Sequence, residues 1–170
     1  FAVKMYAANR VEFANNFVEL ERAKEKFNFT YLPETVERLF REALGCYSSG
    51  HFNAFASMCR RSAQAAFQDL GENGRLRIFE QAREARELAE IDNETFSIVK
   101  KVLFSNDADP SPQWPDLSAN EAGVLLELVK DMLYQAYVRK GKLQQAMMVR
   151  KFFADETLDK ITPIGRAAGE

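Results

Sequence analysis

LPETVERLFREALGCYSSGHFNAFASMCRRSAQAAFQDLG, residues 32 to 71, is the stretch that decides the fold class. Pro33 stands where a first helical turn tolerates a residue without an N–H. Val36, Leu39, Phe40, Ala43, Leu44 and Tyr47 then recur at helical spacing until Ser48, Ser49 and Gly50 close the run. After that short connection Phe52, Phe55, Ala56, Cys59, Ala63, Ala66, Phe67 and Leu70 recur at intervals of three and four up to Gly71, a residue suited to a left-handed C-terminal cap. Two apolar-faced helices joined so tightly predict an antiparallel hairpin.

The same reading extends in both directions. Residues 2 to 27 mix Val11, Phe17, Val18 and Leu20 with many charges, which predicts a moderately amphipathic helix. Gly74 to Glu90 is helical by propensity, with Leu76, Phe79 and Leu88 expected inward and the pairs Arg83–Glu87 and Arg86–Glu90 outward at i,i+4. Asp92 is an N-cap flanked by Ile91 and Phe96 as a hydrophobic staple, and Phe96, Val99, Val102 and Leu103 form the next inner face. SNDADPSPQWPD, residues 105 to 116, carries three prolines and is the longest loop. Ser118 and Glu121 make a capping box ahead of the clearest stripe in the chain: Ala122, Leu125, Leu126, Val129, Leu133, Ala136 and Tyr137. Gly141 is read as a break, followed by a helical piece with Met147, Met148, Phe152 and Phe153, and ITPIGRAAGE as a frayed tail. The expected fold is all-α, an antiparallel bundle of about five to six helices. Its divisions are an N-terminal helix over 1–29 that ends a longer upstream region, a bundle over 30–140, and a helical extension with a tail over 141–170.

Composition narrows the function. A chain of 170 residues with 46% apolar side chains buries one core. Its 23 basic and 25 acidic side chains leave no long-range field to attract a polyanion or an anionic bilayer, so a nucleic-acid contact would need a local patch. Two cysteines make no disulfide framework and fit a reducing compartment, so the expected location is the cytoplasm. No apolar run approaches the roughly 18 residues of a membrane span, and no membrane association is expected. The chain opens on Phe1, from which a further upstream module is expected.

His51 is the single histidine, which excludes mechanisms built on two. Cys46, His51 and Cys59 have the spacing of no zinc finger or ribbon, and no Gly-rich phosphate loop occurs, so neither a metal nor another cofactor is expected. Arg60 and Arg61 are neighbours on one helix, about 100° apart, so only one can border a packed surface. Arg139, Lys140, Lys142, Arg150 and Lys151 are the best local cations for phosphate, although cations near a helix C-terminus also complement its dipole, and that reading is preferred.

In their order, the quoted hairpin, AEIDNETFSIVKKVLFSND and EAGVLLELVKDMLYQAYV resemble the bacterial family called domain of unknown function 4145, within the HEPN-like helical bundles, over roughly residues 30 to 140. RRSAQ, Arg60 to Gln64, is similar to that family's paired-arginine motif, and the loop after Ser105 to its GNDAAH-like loop. The resemblance implies an accessory domain of restriction or other defence systems, a homodimer, and a protein partner in such a complex. Active HEPN ribonucleases carry an Arg followed a few residues later by a His, which serve cleavage beside a ribose 2′-hydroxyl. Here Lys100 and Lys101 stand near the arginine, Ser105 and Asn106 correspond to the Gly-Asn pair, and Asp109 with Pro110 stand where the histidine belongs. A carboxylate ionised near pH 4 is no near-neutral general acid, and proline has no proton to give.

The expected function is therefore a non-catalytic or degenerate HEPN-like dimerisation or interaction module. Its rival is a metal-independent ribonuclease with an atypical site at Lys101 and Asp109, beside Arg60 or Arg61. Arg60, Arg61 and Asn106 are the expected anion or interface contacts. A tetratricopeptide-like solenoid is a third reading, but no recurrence near 34 residues supports it.

Overall fold

The computed structural model describes residues 25–105 and 116–156 in full, and the backbone alone of residues 3–5, 11–13 and 157–160. The hairpin forms as its sequence predicts: α1 spans Glu34–Ser48 and α2 spans Phe52–Leu88. Val36, Phe40 and Ala43 of α1 are sealed against Phe55, Cys59 and Ala63 of α2. Burying a Phe or Leu side chain contributes about 1.5–3 kcal/mol, so this face alone secures the pair. α2 is the hub of the molecule, with α1, α3 (Asn93–Phe104) and α4 (Ala119–Leu133) all packed on it. The arrangement is a bundle around one central helix and not a stack of successive hairpins.

Local chemistry sets the helix starts. Asp92 accepts a hydrogen bond from Thr95 N at 2.8 Å, and this bond holds its carboxyl below the usual carboxylate range. Ser118 and Glu121 close their box in both directions, at 3.3 Å into Ser118 Oγ and 2.6 Å into Glu121 Oε2. Past the capping box every member of the predicted α4 stripe is buried.

Gly71 breaks α2 with φ +70 and ψ −178, a conformation essentially confined to glycine. Beyond the break two expectations fail. Leu76 faces outward, because Ile78, Ala82 and Ala85 set the inward phase and Leu76 lies roughly 160° round the helix from Ile78 at about 100° per residue, whereas Leu88, on the side of Ala85, is left in water where the helix ends. Arg83 pairs with Glu80 at 3.1 Å instead of Glu87, and Arg86 donates to Asn93 Oδ1 at 2.5 Å, tying α2 to the start of α3.

Gly141 does not end a helix either. The backbone runs from α4 through a π-helical turn, Tyr134–Val138, into α5, Arg139–Lys160, as one rod. A hydrogen at position 141 leaves room for the Tyr31 ring, which a Cβ there would strike. Tyr31 itself sits at φ +75, and its hydroxyl hydrogen-bonds Gln145. Among the described residues the helices thus form four rods: α1, α2 with its break at Gly71, α3, and α4–α5.

Much of the N-terminal helix expected over 2 to 27 lies outside the described residues, and the described parts are not helical. Val3–Met5 (β1) pairs antiparallel with Val11–Phe13 (β2), in keeping with the strand propensity of Val3, Val11 and Phe13. Phe17, Val18 and Leu20 lie outside the described residues. Residues 25 to 32 are non-helical and clamp the bundle: the Phe27 ring meets Phe40 edge-on at 5.2 Å, and Lys130 Nζ bonds Glu25 Oε2 at 2.6 Å. Among the described residues no helix is long and apolar enough to cross a membrane.

Candidate functional site

Arg60 and Arg61 part company as their angular separation requires. Half-buried Arg60 donates from Nη1 to Ser105 Oγ at 2.7 Å, and that hydroxyl donates to Lys101 O at 2.5 Å. Arg61 is exposed, its guanidinium 3.8 Å from Met58 Sδ. Arg75, from beyond the Gly71 break, donates to Phe104 O at 3.3 Å. The Lys100 ammonium lies 5.4 Å from the centre of the Phe79 ring. Cationic side chains therefore gather on the last turn of α3, where unpaired carbonyls carry partial negative charge. The geometry makes Arg60 and Arg75 caps of α3, while Lys101 is exposed on the same turn.

Sequence reasoning missed Asn53. Its side chain donates to Asp116 Oδ1 at 2.8 Å and accepts from Leu117 N at 2.9 Å. Asn53 and Arg60 are seven residues apart, two turns of one face of α2, and so hold the two ends of the segment 106–115. Pairings 45 and 63 residues apart leave no periodic trace in a sequence. Asn106 and Asp109 lie outside the described residues, so of the expected site residues only Arg60 and Lys101 are brought to one turn.

His51 is exposed at the N-cap position of α2 and makes no side-chain cap bond. Cys59 is fully buried among apolar side chains, and burial, with Cys46 close by, pushes its thiol up, away from the reactive thiolate. Among the described residues no three His, Cys, Asp or Glu side chains stand close enough to hold a metal ion.

Two further features lie elsewhere. Between the second half of α2 and α4 runs a groove of about 850 Å³, floored by Ala85, Ile91, Val124 and Leu128 with Leu88 at its lip. Its polar lining consists of Glu84, Glu127 and Asp131 with the amides of Gln81, Asn120 and Gln135, and includes no basic side chain. Gln81 Oε1 is buried without a hydrogen-bond partner. Leu88 is 90% exposed and extends the apolar floor of the groove to the surface.

The second feature is α5, which continues the π-helical turn and is met by Tyr31 at Gly141 and Gln145. Met147 and Met148 are 71% and 72% exposed, and Leu143, Val149 and Phe152 are also in water. Arg139, Lys140, Lys142, Arg150 and Lys151 share this rod. The first three lie mid-rod and not at a helix C-terminus, so complementing terminal carbonyls does not account for them. π-helical turns break the regular ladder and concentrate at functional places. Here the turn brings the Tyr137 hydroxyl to Asp69 Oδ2 at 2.9 Å, joining the rod to the last turn of α2 before Gly71. No family model, no curated protein and no solved structure matches the chain.

Proposed function

We propose that the chain is a non-catalytic interaction module, a helical bundle of the HEPN-like kind that dimerises or binds a protein partner in a bacterial defence or restriction-type system of the cytoplasm. The observation that carries the binding role is α5, a helical arm with long apolar side chains exposed to water round its circumference and five cations among them. Apolar patches of this sort on a folded chain mark interaction surfaces. The class of system rests on the resemblance of residues 30 to 140 to the 4145 family. Catalysis is disfavoured by the use of Arg60, whose guanidinium serves the end of α3, and by the Asp109–Pro110 pair in the histidine's position.

Two measurements test this. Purified chain is incubated with RNA, with and without divalent metal, beside Arg60→Ala, Lys101→Ala and Asp109→Ala; no cleavage that these changes abolish is expected. Lysine cross-linking in cells is expected to concentrate on Lys140, Lys142 and Lys151 of the arm, and cleavage abolished by the variants, or cross-links confined to Lys26 and Lys100, would reverse the reading.

A further inference from the structure

We propose that α5 of one copy lies in the α2–α4 groove of a second copy, whose own α5 fills the groove of the first, so that the chain is a reciprocal arm-exchanged dimer. The inference rests on the reading of α5 as a binding arm and names what the arm binds.

Charge supports it first. Residues 139–156 carry five basic side chains against Asp155 and Glu156, while the groove lining holds Glu84 and Asp131, together with Glu127 paired to Lys130 beside it, and no cation of its own. Oppositely signed surfaces steer association and fix orientation. Apolar chemistry agrees: Leu143 and Met147 share one face of α5, with Arg150 a turn further on, and offer flexible side chains that a floor of Ala85, Val124 and Leu128 accepts.

Connectivity then selects a second copy over self-docking. α4 is a wall of the groove, and α5 continues from α4 through helical backbone, with φ −60 and ψ −49 at Tyr134 and φ −61 and ψ −47 at Arg139. A helix that continues unbroken cannot turn back along the wall it grew from. A two-fold axis crossing the rod near the π-helical turn instead sets each α5 antiparallel to the other copy's α4, and such an isologous contact closes at two copies. Lengths agree as well. At about 1.5 Å per residue the wall from Ala119 to Gln135 runs roughly 24 Å, enough for the arm from Leu143 to Phe152 at roughly 14 Å. Exchange uses the contact twice, which is how a short arm approaches the roughly 1,600 Å² of a standard interface.

The test is mass in solution by light scattering on the full 170-residue chain. Wild type is expected as a dimer. Reversing the groove with Glu84→Lys and Asp131→Lys, or the arm with Lys140→Glu and Lys142→Glu, which the two-fold sets opposite Asp131, should each weaken the dimer by about tenfold or more. All four are surface positions, and circular dichroism verifies that each variant is folded. Mixing the two variants should restore the dimer, because in the mixed pair the reversed groove meets the reversed arm and the native groove meets the native arm. A monomeric wild type overturns the exchange while leaving α5 to a different protein, as arm-centred cross-links would register. A dimer indifferent to the groove variant, or one not restored on mixing, also overturns it.

Discussion

Ser62 shows what a single atom can cost. It is fully buried on α2 beside Ala63, and its Oγ has no hydrogen-bond partner. An unsatisfied buried hydroxyl forfeits its hydration without return, whereas an alanine of nearly the same volume forfeits nothing. Ser62→Ala is therefore expected to raise stability by roughly 1 kcal/mol, read by urea unfolding; a loss of similar size would mean that the hydroxyl is satisfied. The neighbouring residues explain why the paired arginines do not read as a site at this scale. Arg60 reaches Ser105, 45 residues on, and Arg61 reaches only Met58 on its own helix. Adjacent identical letters thus take unrelated jobs, and a helical angle of about 100° between them anticipates that separation but not the destination of either side chain.

Elements obey their sequence signals wherever one local interaction dominates. The box at Ser118 and Glu121, the cap at Asp92 and the stripes of α1, α3 and α4 all form as the residue spacing predicts. Gly71 was legible as a stop, and its backbone angles are the reason. Nothing lies within 4 Å of where a Cβ at 71 would sit, so Gly71→Ala meets no clash and its expected cost of about 1–3 kcal/mol is purely conformational. Thermal unfolding of this variant measures that cost directly, and an unchanged midpoint would show that the break can move to a neighbouring residue. Gly141 looked like the same signal and was not. Its small size makes room for a ring contributed by Tyr31, more than a hundred residues away, and no local pattern distinguishes a glycine that ends a helix from one that admits a neighbour. Leu76 misled for a related reason: after a break the helical phase restarts, and Ile78 resets it.

At the scale of the whole molecule the sequence yielded the helical class, the hairpin and most of the core, while the groove and the arm were hidden in it. The arm arises because α4 and α5 are one rod, and that continuity runs through a π-helical turn which periodicity does not mark. The turn also carries the tie that makes the rod's position depend on pH. Tyr137 is nearly buried and its hydroxyl is donated to Asp69, so burial first, then the carboxylate, push its phenol well above the usual tyrosine range. The charged form of the phenol is the deprotonated one, and the fold disfavours it. The stabilisation is accordingly whole below the unfolded-state value of about 10 and is lost as pH rises beyond it toward the higher folded-state value. Lys130 adds in the same direction: burial alone would lower it, but hydrogen bonds to Glu25 and Glu127 raise it on balance, and its contribution likewise fades in strong alkali. Tyr137→Phe should therefore cost about 1 kcal/mol near neutrality, where the hydrogen bond is intact, and progressively less as pH climbs past about 10, the two unfolding curves converging. Curves that stay parallel to the most alkaline pH would mean that the phenol ionises unhindered in the native state, and that Asp69 does not hold the rod to α2.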